Sequence, residues 1–252
     1  SAIGEAQVSV LLDRLEDRAG VTAHTVALRI PYRETIRRVA SAQGRHKKQT
    51  GGAGQYGDCW LRIEPNPGNG YEFVDEVVGG HIPRGFIPAI DKGVQETMHE
   101  GVLAGYPMID VKVAVYDGSY HPVDSNEMAF KTAARIGFQK AVAQAEPVLL
   151  EPMAHLRITV PDSYAGSVMG DVSASRGRVE GMSAGTGVAA GETTIEATIP
   201  YAEVTDYATR LRSLSRGTGE FEMELSGYEQ VPHDIQAKLA AEYAEKRATG
   251  EK

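Results

Sequence analysis

Residues 155–182 read HLRITVPDSYAGSVMGDVSASRGRVEGM, and their punctuation decides the fold of the carboxyl-terminal third of the chain. Leu156, Ile158 and Val160 alternate with His155, Arg157 and Thr159, the period of a strand with one buried face. Tyr164–Ser175 follows at helical spacing, and Gly177–Met182 returns to a strand pattern. Further on, Thr193–Ile199 reads as a strand, Ala202–Leu214 as a helix and Glu220–Leu225 as a strand. The order βαββαβ is that of a ferredoxin-like domain, with helices on one face of an antiparallel sheet. It occupies residues 148–232. A charged helix at Ile235–Arg247 then trails off as a mobile tail within residues 233–252.

Upstream, residues 4–19 form one amphipathic helix through Val8, Leu11, Leu12 and Leu15, closed by Gly20. A strand over Val21–Ile30 follows, with Val26, Leu28 and Ile30 alternating. A helix and a strand are too little to fold alone, so residues 1–30 read as the back half of a small α+β domain. The pattern is already under way at Ser1 and no initiator Met precedes it, as in an excised piece of a longer chain.

Between these parts, residues 31–147 make a second unit. Tyr32–Ser41 is β-rich and basic. Cys59–Pro65 and Tyr71–Val78 read as a pair of strands around the turn Pro67-Gly68-Asn69-Gly70. Ile87, Ile90, Val94 and Met98 mark a helix that ends near Gly101, and Val111, Val113 and Val115 mark a strand over Ile109–Tyr116. Asp124 with Glu127 three residues on has the form of a capping box opening a helix over 125–145, stopped by Pro147.

The 252 residues are 42% hydrophobic and 24% charged, ordinary proportions for globular domains with real cores. Cys59 is the lone cysteine, which excludes an internal disulfide framework and fits a reducing cytoplasm. No apolar run approaches the ~20 residues of a membrane span, and the histidines and Cys59 show no metal-binding spacing. Cys59, beside Trp60 in a strand, reads as half-buried and inert. The net charge of −8 argues against nucleic acid on average. Locally, Arg29, Arg33, Arg37, Arg38, Arg45, Lys47 and Lys48 face only Glu34. Such a run is either a solvated face or a phosphate-contacting one.

Two segments carry the chemistry. Lys47-Lys48-Gln49-Thr50-Gly51-Gly52-Ala53-Gly54-Gln55-Tyr56-Gly57 lacks apolar periodicity and reads as an exposed loop. Its glycines allow close backbone approach, its lysines suit phosphate, and Gln49 and Gln55 suit sugar hydroxyls or base edges. The plain alternative is a flexible loop. No Gly-x-x-x-x-Gly-Lys-[Ser/Thr] pattern occurs, so it is not a nucleotide-binding P-loop. The second segment, Asp117–Asp124, presents Ser119, Tyr120, His121 and Pro122, where a ring on a stiffened turn could stack on an unpaired base. Ser119, His121 and Asp124 together could pass for a hydrolytic triad, the remote alternative of a free-standing hydrolase. Three such residues on one short loop rarely face one another, and nothing suggests an oxyanion hole.

Those segments resemble elongation factor G. Tyr32–Ile36 and Lys47–Gly57 look like the opening of its domain IV. Ile82-Pro83, Ile87–Gly93, Leu103–Pro107, Gly118–Ser125 and Glu151–Met153 match in order. Tyr207–Leu214 and Tyr228–Pro232 resemble domain V. The resemblance implies the end of domain III in residues 1–30, a domain IV similar to the second domain of ribosomal protein S5 in 31–147, and domain V in 148–232. It implies a translocation factor whose domain IV enters the decoding site. There Arg45, Lys47, Lys48, Gln49, Gly51, Gly52, Gly54, Gln55, Tyr56, Ser119, Tyr120, His121 and Pro122 would touch RNA. In domain V, Ser175, Arg176 and Arg178 would touch ribosomal RNA. Partners would be both ribosomal subunits, rRNA, tRNA and mRNA, met by a cytoplasmic monomer with no small-molecule substrate and no membrane. No catalytic residue, metal or cofactor is implied for this chain; GTP and Mg belong to the amino-terminal GTPase domain. The turn Ser173–Arg178 and the run Pro200–Asp206 depart from the family pattern, which suggests a paralogue, such as one for ribosome recycling or protection against antibiotics.

Overall fold

The computed structural model describes residues 5–22, 29–49, 54–186 and 190–249. The chain divides into two α+β units, one from residues 32–150 and 230–252, the other from residues 1–31 and 151–229. It opens with α1 (Glu5–Ala19), which ends where Gly20, at φ +62°, donates its N–H to Glu16 O (3.0 Å). The strand expected over Val21–Ile30 lies largely outside the described residues.

The unit built on residues 32–150 contains β1 (Arg33–Ile36), β2 (Ala40–Lys48), β3 (Gln55–Pro65), β4 (Glu72–Asp75), α2 (Ile87–Glu100), β5 (Val111–Ser119) and α3 (Glu127–Gln144). Its four-stranded sheet has the order β2-β3-β5-β4. The strands either side of Pro67–Gly70 therefore do not pair with each other, as the sequence suggested. β5 lies between them, antiparallel to β3 and parallel to β4. Leu61, Ile63, Ile90, Val94, Val113, Val115, Phe130 and Phe138 are fully buried and join the sheet to α2 and α3. Each such burial contributes about 1.5–3 kcal/mol.

Helix α3 lies flush on the sheet because its inner face is small: Ala129, Ala133, Ala134, Gly137 and Ala141 are all buried. Gly44 of β2 meets this face so closely that a Cβ there would overlap Ala133 O and stand 2.5 Å from Gly137 N. The α3 cap differs from the expectation. Asn126 is the N-cap, its side-chain oxygen accepting the Ala129 N–H at 2.8 Å, whereas Asp124 belongs to the preceding loop.

Glu34 is fully buried in β1 and its carboxylate accepts four backbone N–H groups, from Val102, Leu103, Ala104 and Tyr106, at 2.7–3.0 Å. The segment it orders carries Leu103, Ala104 and Tyr106, part of the apolar cluster that also takes Ile235 and Leu239 near the end of the chain.

Strand β6 (Pro147–Pro161) pairs with β1 through Pro147–Leu150. From Glu151 it enters the ferredoxin-like unit, followed by α4 (Asp162–Ala174), β7 (Arg178–Ala184), β8 (Glu192–Pro200), α5 (Tyr207–Leu214) and β9 (Glu220–Gln230). The strand order β9-β6-β8-β7 is the expected ferredoxin-like one. Leu156, Ile158, Val168, Val172, Ile195, Ile199 and Tyr207 form its core. Helix α5 starts five residues later than its apolar spacing suggested, because Tyr201–Glu203 form a separate 3₁₀ turn.

The final helix, α6 (His233–Thr249), is no free tail. Ile235 and Leu239 pack on the cluster of Ala104, Leu149 and Val231, and Gln236 Oε1 accepts the Leu149 N–H at 2.9 Å. Its charge-rich sequence hid this narrow apolar seat.

Candidate nucleic-acid interface

The polar segment expected to be a loop at 47–57 is mostly a hairpin end. β2 and β3 stay in register to Lys47↔Tyr56 and Lys48↔Gln55, carrying the ladder beyond the packed core. Lys47 and Lys48 are exposed, and what packs on the other strand is Gln55, Tyr56 and Gly57 rather than aliphatic side chains, which is why no apolar alternation marked the strands. Arg45, Lys47, Lys48 and Gln49 are exposed along β2 and just past it. Among the described residues neither Lys47 nor Lys48 meets a carboxylate. Gly51 and Gly52 lie outside the described residues.

Tyr56 fastens the second segment to this hairpin. Its N–H donates to Asp124 O (2.8 Å) and its carbonyl accepts Ser125 Oγ–H (2.9 Å). Its phenol lies 2.7 Å from Ser119 Oγ. Ser119 in turn donates to Asp58 Oδ2 (2.6 Å), and Gln43 Nε2 donates to Asp58 Oδ1 (2.8 Å). Gly54 lets the two segments touch, since a Cβ there would lie 2.5 Å from Asp124 Cγ. Gln55 accepts from His46 Nε2 through its side-chain oxygen at 2.9 Å. The structure thus brings Arg45–Gln49, Gly54–Tyr56 and Ser119–Pro122 to one end of one unit. Within that group Gly54, Tyr56 and Ser119 are struts rather than outward-facing contacts.

The outward face is supplied by the turn. Tyr120, His121 and Pro122 are exposed. His121 Nδ1 accepts the N–H groups of Val123 (3.3 Å) and Asp124 (3.1 Å). Asp124 Oδ2 is also 3.3 Å from Nδ1, an ion pair only if Nδ1 carries a proton. The two readings exclude each other. Backbone N–H groups cannot reorient, so Nδ1 is the acceptor and the ring proton sits on Nε2, on an exposed side chain. The Tyr56 ring has the Arg45 guanidinium 5.7 Å from its centroid and the tilted His121 ring with its centroid 6.4 Å away. The triad alternative fails on geometry, because the Ser119 hydroxyl is spent on Asp58 and Tyr56 and does not meet His121.

Nearby, the His81 Nδ1–H and the Gly118 N–H hold the Asp117 carboxyl below its usual range. Cys59 is fully buried rather than half-buried, and that burial, reinforced by Asp58, pushes its thiol up to about 12. Such a thiol is unreactive at neutral pH.

In the ferredoxin-like unit the expected contacts are differently disposed. Ser175 is buried. Arg176, at φ +57°, turns inward and forks onto Glu151 (2.6 and 3.0 Å), with Glu203 at 3.2 Å. Arg178 forks onto Glu229 at 2.6 and 3.1 Å. Both guanidiniums are committed within the unit, and in the sequence nothing tied Arg176 to the distant Glu151.

The family profile for elongation factor G, domain IV, matches residues 28–146, and that for the elongation factor G C-terminus matches residues 148–239. The chain belongs to the elongation factor G family. A crystal structure of a protein from Thermus thermophilus is similar, with a TM-score of 0.82 and 42% identity over 96% of this chain; the chain spans 36% of that protein's length. The tip hairpin and the His121 turn thus belong to domain IV of an elongation factor G relative, and Arg176 and Arg178 to its C-terminal domain. The family is one of translational GTPases, and the matched parts are not its GTP-binding domain. Sequence reasoning missed the domain IV residues that hold the tip together, chiefly Gln43, His46, Asp58 and Ser125. Ordinary polar residues in strands and turns carry no local signal for such pairings. Among the described residues no helix is long and apolar enough to cross a membrane, and no three His, Cys, Asp or Glu side chains gather as a metal site would require.

Proposed function

We propose that this chain is the ribosome-contacting part of a translation factor whose domain IV enters the small-subunit decoding site and holds the messenger and transfer RNAs as they move. The part acts by shape and charge rather than by bond chemistry. One observation carries this reading. The exposed cations Arg45, Lys47 and Lys48 stand at the same end of the unit as the exposed ring of His121, and Tyr56 bonds lock the two segments together. Cations suit phosphate oxygens, and an exposed ring with an N–H donor suits a base or a phosphate. In the whole factor, GTP and Mg would be held by the GTP-binding domain, and the factor would work as a cytoplasmic monomer on both ribosomal subunits.

The internal engagement of Arg176 and Arg178 favours a second reading, a paralogue serving ribosome recycling or protection. It leaves the C-terminal domain fewer free cations for ribosomal RNA.

Ribosome binding measured against salt tests the contact. Each phosphate neutralised adds about 0.7–0.9 to the slope of log K against log salt. Lys47→Glu with Lys48→Glu is expected to weaken binding and flatten that slope by about 1.5. Unchanged affinity and slope would remove the phosphate contact.

A further inference from the structure

A cleft of about 790 Å³ opens beside the tip of domain IV, between the start of α2 and the start of α3, with Gln55 of the hairpin in its wall. Apart from Gln55, its lining residues lie outside the two segments described above. Its apolar walls are Pro88 and Ala89 on one side and Met128 on the other, and Met128 is 60% exposed although it begins a packed helix.

The polar groups of the cleft are nearly all donors. Gln55 spends its side-chain oxygen on His46, which leaves its amide N–H groups for the cleft. Asn126 spends its oxygen on the Ala129 N–H, which again leaves an NH₂. Lys92 is exposed and, among the described residues, forms no close ion pair, though Glu96 one turn on feels its charge. Lys131 stands at the rim, paired with Glu96 at 2.7 Å. Among the described residues Glu127 is the only acid in the lining. A site of this size, with flat apolar walls, two amide donors and two ammonium groups, fits a ligand with a planar body and many acceptor oxygens. That is the chemistry of a nucleotide. Its place beside the exposed cations of the hairpin points to a nucleotide within a strand.

We propose that this cleft takes one unstacked nucleotide of a single-stranded RNA, its base between Pro88 and Met128 and its phosphate on Lys92 and Lys131, an inference that rests on the RNA-contacting role of the tip. A strand would then be held at two places on domain IV, the hairpin and the cleft.

The test is fluorescence anisotropy of a labelled RNA hexanucleotide with this chain at low salt, alongside ribosome binding by the same variants. Met128→Trp fills the cleft and Lys92→Glu reverses its charge; both side chains are exposed, so neither change disturbs the core. Base stacking and phosphate contact at one nucleotide predict about a tenfold loss of hexanucleotide affinity for each. Asn126→Asp keeps the helix cap but exchanges the NH₂ donor for a carboxylate that repels phosphate, and is expected to cost at least about threefold. Cleft variants that bind the hexanucleotide as tightly as the unaltered chain would overturn the proposal, as would an unaltered chain that does not bind it. If Lys47→Glu with Lys48→Glu still weakens ribosome binding and flattens its salt slope in either case, the tip reading stands without the cleft. Displacement of the hexanucleotide by equimolar AMP would overturn the strand assignment in favour of a free-nucleotide site.

Discussion

The phenol of Tyr56 lies 2.7 Å from Ser119 Oγ, joining two segments 63 residues apart. Ser119 has one hydroxyl proton and directs it to the Asp58 carboxylate, which only accepts, so Tyr56 is the donor in this pair. Tyr56→Phe deletes one bond and leaves the ring in place, and is expected to cost about 1 kcal/mol. Ser119→Ala strips one of two partners from a buried carboxylate and should cost more, about 1–3 kcal/mol. Urea midpoints at constant m check both values. The reverse order would mean that Asp58 draws its support from elsewhere.

Glu34 makes a sharper stability prediction. One glutamine oxygen cannot serve the four amides that the carboxylate serves, and its NH₂ would face N–H groups. Glu34→Gln should destabilise by on the order of 3 kcal/mol. Because Ala104 and Tyr106 also seat α6, hydrogen exchange in α6 should quicken in this variant. A midpoint unchanged from the parent would contradict the clamp.

A pH effect follows from Asp117. Its folded-state value lies below the ordinary 3.8 because His81 and the Gly118 N–H favour the carboxylate. The contribution is therefore present above the ordinary value and is lost as pH falls through the lowered folded value. The group is exposed, so the stability change is small and NMR titration is the suitable measurement. Asp117 should titrate below 3.8, and His81→Ala should move it upward, with the Gly118 contribution remaining. No movement in that variant would remove His81 as the principal cause.

Much of this architecture is legible from local pattern. The βαββαβ order follows from alternation in Leu156–Val160 and Thr193–Ile199 and from the helical spacing of the segments between them, and Gly20 ends α1 as its position indicates. What local pattern misses is long-range. The strands flanking Pro67–Gly70 look like a hairpin until β5, about 40 residues on, inserts between them. Asp124 with Glu127 has a capping-box spacing, yet Asn126 stands where the helix begins and Asp124 is held by Tyr56. The tip strands were hidden because glycines and polar side chains pack there, Gly54 on Asp124, Gly57 on Ala129 and Tyr56 on Ser119, with no aliphatic alternation. At the site, charge and glycine content marked Lys47–Gly57, and the exposed turn marked His121. The inward commitment of Arg176 to Glu151 depends on a partner 25 residues away and leaves no trace in spacing.

The measurement that tests the central claim most directly is single-round translocation on loaded ribosomes. It would use a factor in which this chain replaces the corresponding part of a translocating elongation factor G, with and without His121→Ala. The account predicts that the chimaera moves the messenger and transfer RNAs, and that His121→Ala slows the step about tenfold, the effect of losing one contact of roughly 1.4 kcal/mol. Firm ribosome binding with no movement, or movement indifferent to His121, would contradict it.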